Sequence, residues 1–447
     1  MGGDRLDQAG ISRRSFLLSA GLVAASVSAC GRLTGGGTGA GGGGGQVTFL
    51  STQFTPLEEA DRFRQILKSA YTAKPVDYVT SDPAPFADRV RSAIEAGNVN
   101  FSLLGALHGQ FATIADQLDD VSDVMQRLAG AGYPQELTDL AKLGTEKTLF
   151  IPWAQATYVM AVHNSAMDAL PPGASTDQLT YEQLLTWAEA LTEQTGKPAF
   201  GLPGGPKGLL HRFFQGFTYP SFTGGVVPTF ASAEAQEMWR YLQRLWKVTN
   251  PASTNFDFMQ EPLVSGQVLL AWDHVSRLVD APKQKPGEFT IFPVPSGPKG
   301  RGYMPVLSGL AIPKNAPDRA SAVALIEALS KPEVQFEVLR QNAFFPTVSA
   351  PLPGDLPPGI SEEAKGVQAQ QNASDALLTL PPVGLGAREG EFTAIYKDTF
   401  SRIVLNGEDP ATVLPEQKSA MQQLLDETKA PCWTPDPSSN GATCVVG

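Results

Sequence analysis

From residue 46 onward the chain alternates short apolar runs with amphipathic helical stretches, and that alternation limits the fold more than any other feature. Val47-Thr48-Phe49-Leu50 is followed by a helical stretch over 57–70, in which Leu57, Ala60, Phe63, Ile66 and Leu67 recur at helical spacing. A second apolar run at 76–79 precedes a helical stretch over 85–96, and Phe101-Ser102-Leu103-Leu104 comes next. Strands joined through helices lie parallel and are covered on both faces, so the pattern predicts an α/β fold. Ligands of such sheets bind beyond the carboxyl ends of the strands. Those ends are Ser51-Thr52-Gln53 and Ala106-Leu107-His108.

A second α/β region begins with apolar runs at 149–152 and 158–163. Thr180 and Gln183 have the spacing of a capping box and open a helix carrying Leu184, Leu185, Trp187, Ala188 and Leu191, which Gly196 ends. Another helix starts near Ser232; Ala235, Met238, Trp239, Leu242, Leu245 and Trp246 form a stripe read as core. Strands are expected at 268–272, 289–292 and 310–313, and helices at 320–329 and through Val413, Leu414, Met421, Leu424 and Leu425. No internal repeat is present.

The segment before this body sets its compartment. Residues 1–29 contain Arg13-Arg14, an apolar run from Phe16 to Val27, and small residues leading to Cys30. A run of that length is too short for a membrane-spanning helix, which needs about 20 residues. It reads as an export signal: Ser12-Arg13-Arg14-Ser15-Phe16-Leu17 resembles a twin-arginine signal, and Val27-Ser28-Ala29-Cys30 resembles a bacterial lipobox with Cys30 as the lipidated residue. Ten of the fifteen residues from Gly31 to Gly45 are glycine. Residues 30–45 are therefore expected to form a lipidated cysteine and a flexible tether reaching roughly 20 Å. The expected location is extracytoplasmic, anchored to the outer face of the cell membrane. Cys432 and Cys444, in the tail at 431–447, are plausible disulfide partners in that compartment, worth on the order of 3 kcal/mol.

The 45 acidic against 34 basic residues give a net charge of −11. Affinity for a phosphate backbone comes from clustered Lys and Arg, so no nucleic-acid partner is expected.

The order of segments resembles the extracellular solute-binding proteins of bacterial ABC importers, specifically the carbohydrate-binding family that includes maltose-binding protein. The matching pieces are Phe150-Ile151-Pro152 with Val162-His163-Asn164, Leu179-Thr180-Tyr181-Glu182-Gln183-Leu184, Gly266-Gln267-Val268-Leu269-Leu270-Ala271-Trp272, Phe292-Pro293-Val294-Pro295 leading to Ser308-Gly309-Leu310-Ala311-Ile312-Pro313-Lys314, and Phe344-Phe345-Pro346-Thr347. His163, Tyr181 and Leu107-His108-Gly109 depart from the family's usual residues. The resemblance implies a two-lobe periplasmic-binding-protein fold of type II, each lobe a mainly parallel sheet flanked by helices. Lobe 1 would comprise 46–155 and 308–345, and lobe 2 156–307 and 346–430, with chain crossings near 155–158, 304–309 and 345–348. It also implies closure of the lobes on a carbohydrate or polyol ligand, ABC transporter permease subunits as partners, and a monomer.

A sugar site needs aromatic platforms and side chains that donate and accept hydrogen bonds. The candidates are Gln53 and His108 at strand ends, Trp153 and Gln155 at the first crossing, Arg212, the run Trp272, Asp273 and His274, and Tyr303 at the second crossing. A buried hinge role competes for Trp153, core placement for Trp272, packing under the hinge for Tyr303, a surface ion pair for Arg212 and a backbone bond in a turn for His108. Asp273 and His274 are expected in an exposed loop. Gln155 is favoured, since a polar side chain in an apolar crossing otherwise needs a buried partner. His108, His163, His211 and His274 have no zinc-site spacing, and neither a nucleophile elbow nor a phosphate-binding loop occurs, so no metal, cofactor or catalytic residue is expected. A surface glycosidase using paired carboxylates in the same cleft, or a scaffold lipoprotein, remain the alternatives.

Overall fold

A computed structural model describes residues 45–55 and 57–447. The export signal, Cys30 and all but the last residue of the tether lie outside the described residues. The strands are β1 (Val47–Ser51), β2 (Val76–Thr80), β3 (Leu103–Leu107), β4 (Ile151–Ala156), β5 (Tyr158–His163), β6 (Phe200–Gly201), β7 (Leu270–His274), β8 (Phe289–Phe292), β9 (Arg301–Tyr303), β10 (Val306–Ala311) and β11 (Ala376–Leu378). They form a five-stranded sheet ordered β2-β1-β3-β10-β4, a four-stranded sheet ordered β6-β7-β5-β8 and a small pair, β11-β9.

Each of the two main sheets has one strand running against the others. In the first, β1 is parallel to β2 and β3, while β10 is antiparallel to both β3 and β4. In the second, β6 is parallel to β7, and β5 is antiparallel to β7 and β8. The remaining strands of each sheet point the same way, so both are mainly parallel in direction.

Both faces of each sheet are buried, which is why the strands read as continuous apolar runs rather than as alternating ones. Val47, Phe49, Leu103, Trp153 and Leu310 pack into one core, and Leu50, Leu104, Phe150, Leu307 and Ala311 into the core on the opposite face. In the second sheet Tyr158, Met160, Val162, Leu270 and Trp272 face one core, and Val159, Ala161, Ala271 and Ile291 the other. The covering helices include Leu57–Ala70 and Pro83–Glu95 on the first sheet, and Tyr181–Thr195, Ala233–Lys247, Pro358–Gln371 and Pro410–Thr428 on the second lobe. The Thr180 capping box forms with both reciprocal bonds, and Gly196 ends that helix in the left-handed region. Ser232 caps Ala233–Lys247, whose Trp239 is fully buried whereas Trp246 is only partly so.

The sheets are joined by chain crossings. β4 ends at Ala156 and β5 starts at Tyr158, so Thr157 alone connects the two sheets there. Its hydroxyl donates to the carbonyl of Met304 at 2.9 Å and accepts from the Gln370 amide at 3.2 Å. That bond ties the first crossing to the second, which leads from β9 into β10. The third crossing follows Phe345, whose backbone exchanges two hydrogen bonds with Gln155 on β4. The tail folds back on the second lobe: Cys432 and Cys444 are joined by a disulfide, Cys444 and Val446 are buried, and the Asp436 carboxylate accepts from the backbone N–H groups of Val226 and Val227 at 2.7 and 2.8 Å. β10 begins four residues earlier than the strand expected at 310–313. Asp273 and His274 belong to β7 instead of an exposed loop.

Candidate functional site

Beyond the carboxyl ends of β3 and β7 lies a cavity of about 300 Å³ walled by both sheets. The first sheet contributes Leu107, His108, Gly109 and Gln110, and the crossing into β10 contributes Met304, Val306 and Leu307. From the second lobe come Tyr158, His274, Ser276, Arg277, Leu209 and Arg212, with Pro381, Pro382 and Glu389 completing the wall.

His108 opens a short helix directly after β3, which aims its ring into the cavity. The residue is 1% exposed, and its ring nitrogens are buried without a well-aligned hydrogen bond, a Leu307 backbone group lying close by. Burial pushes its pKa down to about 4, with Arg212 adding to the effect and Glu389 opposing it. The neighbouring Gln110 is locked from behind, its Oε1 accepting from the Leu107 N–H at 3.0 Å and from the Thr52 hydroxyl at 2.7 Å. At the end of β7 the His274 Nδ1 accepts from the Ser276 N–H at 3.2 Å. Burial holds this ring neutral, its pKa lowered to about 3, so the proton resides on Nε2, which is a donor.

Arg212 lies two residues before a π-helical stretch, Phe214–Thr218, a distortion often found at functional sites. Its guanidinium reaches Glu389 at 2.6 Å and Gln215 at 3.1 Å. Arg277 is held differently: Nη1 donates to the carbonyls of Lys207 and Asp257 at 3.3 and 3.2 Å, and the guanidinium lies 4.6 Å from the Phe258 ring centre. Among the described residues it has no carboxylate partner. Tyr158, at the base, is stacked on Trp272 with ring centres 5.0 Å apart and planes 7° apart, and burial raises its phenol to about 12.

Of the residues singled out from sequence, the structure brings His108, Arg212 and His274 together. Gln53 is buried beside the cavity wall, its amide donating to Thr52. The others do not line the cavity, each for a packing reason. Trp153 is in the first core against Phe54 and Phe63, with its N–H on Ser308 at 3.0 Å. Trp272 is in the second core among Phe213, Phe217 and Tyr158. Gln155 has a buried partner after all, the Pro346 carbonyl at 2.9 Å, and so serves the third crossing. Asp273 is fully buried, accepting from the N–H groups of Met259 and His274 at 2.9 and 2.7 Å, and burial raises its pKa to about 7. Tyr303 sits on β9, half-buried against the second core. Sequence reasoning missed Gln110, Ser276, Arg277 and Glu389. Arg277 follows His274 by one turn, and that proximity was the available signal.

Two mainly parallel sheets, crossed by the chain and flanking a cavity at their strand ends, are the architecture of the two-lobe solute-binding proteins. Residues 56–336 match the family described as bacterial extracellular solute-binding protein, and the chain belongs to that family. Membership implies an extracytoplasmic location. The chain is similar to maltose-bound MalE3 of T. maritima, at 16% identity over 84% of this chain and 99% of that one, with a TM-score of 0.67. It is similar to UgpB of Mycobacterium tuberculosis in complex with glycerophosphocholine, at 16% identity over 86% and 99%, with a TM-score of 0.68. The sugar-binding protein MalE of Xanthomonas citri gives 15% identity over 86% and 98%, also at 0.68. No curated protein matches the sequence.

Proposed function

We propose that the protein is the substrate-binding lipoprotein of an ABC importer, anchored through Cys30, which captures a sugar or related polyol between its lobes and delivers it to the permease. The observation that carries this reading is the cavity itself, whose polar groups come from the strand ends of both sheets. A solute held by both His108 on one side and Arg277 on the other bridges the lobes and favours the closed form, which a permease can distinguish from the open one. The solved relatives bound to maltose and glycerophosphocholine support hydroxyl-rich solutes as the class.

A glycosidase reading has less support. Hydrolysis of a glycosidic bond generally requires two carboxyl groups flanking it. Glu389 is the one carboxylate lining this cavity among the described residues, and it is paired with Arg212. Calorimetric titration with sugars, polyols and their acidic derivatives is expected to reveal a saturable ligand that is recovered unaltered. Release of a cleaved product, or no binding across the whole panel, would overturn the proposal.

A further inference from the structure

The cavity walls also limit the kind of solute. Within the function proposed above, we infer that the solute is a single sugar- or polyol-sized unit bearing one anionic group, a carboxylate or a phosphate, rather than a neutral oligosaccharide.

Size comes first. At about 300 Å³ the cavity is at the lower end of ligand sites, which run from about 300 to 1,000 Å³. Stacking is the second constraint. Oligosaccharide sites use free aromatic faces, and none of the six tryptophans lines this cavity. Tyr158 does, but Trp272 already covers one face of its ring, and Phe217 and His274 contact it further in T-shaped arrangements. The solute must therefore be held by polar and charged groups.

Charge is the third constraint. Two guanidinium groups face one carboxylate, and that carboxylate is taken up by Arg212. Arg277 makes no close ion pair with a described carboxylate, although the buried Asp273 acts on it electrostatically, and its Nε and Nη2 make no hydrogen bond to any described residue. Those two N–H groups form the planar fork that binds a carboxylate or phosphate through two parallel bonds. Across the cavity, the buried His108 ring nitrogens lack a well-aligned hydrogen bond, with a Leu307 backbone group close by, so a ligand hydroxyl would satisfy them better. Arg277 would take the anionic group, while His108, the His274 Nε2–H and Ser276 address hydroxyls.

The test is calorimetry on the protein with three sets of probes: glucuronate and gluconate, glucose 6-phosphate and glycerol 3-phosphate, and neutral glucose, glycerol and maltose. One acidic set is expected to bind at least about tenfold more tightly than its neutral counterparts, and the tighter set identifies carboxylate or phosphate. Arg277→Gln is expected to remove that preference, lowering affinity for the acidic set at least about tenfold. The wild-type comparison stands even if the variant folds poorly. Neutral probes binding as tightly as acidic ones would overturn this inference and leave the importer reading in place. Absence of binding by all three sets would overturn both.

Discussion

Gln370 offers the most direct test of how the first crossing is held. Its side chain is fully buried on the helix Pro358–Gln371, and it makes three bonds, two to the first crossing and one to the chain just after β8. The amide donates to the Thr157 hydroxyl at 3.2 Å and to the Tyr158 carbonyl at 3.1 Å, and its oxygen accepts from the Val294 N–H at 3.0 Å. Gln370→Met keeps the length and volume of the side chain but removes donor and acceptor together. The Val294 N–H and the Tyr158 carbonyl then lose this partner in a dry environment, at about 1–3 kcal/mol each, so about 2–6 kcal/mol in total. With an unfolding entropy of about 2.1 cal/mol/K per residue, a chain of this length should lose about 2–6 °C in Tm. Gln368→Met, on the exposed side of the same helix, is the control and should stay within about 0.5 kcal/mol. Differential scanning calorimetry of the two variants reads this directly. If Gln370→Met melts together with Gln368→Met, the three bonds do not hold the crossing and the reasoning fails.

Three further outcomes are expected. The folded-state pKa of His108, about 4, lies below its ordinary value of 6.5, so acid protonates the unfolded chain first and stability is lost as pH falls from 6.5 toward 4. His108→Gln should lose about 2 kcal/mol less than wild type between pH 7 and pH 5 in urea titrations, and parallel losses would refute the assignment. Gln155→Ala should cost about 1 kcal/mol through the orphaned Pro346 carbonyl yet leave solute affinity within about twofold, and a large affinity loss in calorimetry would return Gln155 to the binding site. Reducing the Cys432–Cys444 bond should lower stability by about 3 kcal/mol, and an unchanged denaturation midpoint with and without dithiothreitol would show that the tail stays docked without it.

What could be read from the residues follows from burial. β1, β3 and β5 stood out because both of their faces are covered, and the Thr180 box and the Ser232 cap are local signals that the fold keeps. β10 was displaced because Ser308 and Gly309 interrupt its apolar run for tertiary reasons. Ser308 receives the Trp153 N–H, and a side chain at 309 would collide with Phe150. Asp273 looked like a loop residue because its acceptors are satisfied by backbone, one of the donors fourteen residues upstream at Met259. The cavity was the least legible part. His108, Tyr158, Arg277 and Glu389 come from four distant segments, and no local period marks such a convergence.

The place of β10 between β3 and β4 governs the order in which this molecule can be made. A chain emerging from the ribosome as far as residue 300 carries β2-β1-β3 and β4 as unjoined pieces, each with an open hydrogen-bonding edge. Only when Val306–Ala311 has been synthesised can it slot between them and complete the sheet. Fragments ending before that point are expected to be sticky and incompetent for capture, so the nascent protein depends on being shielded until its last third arrives.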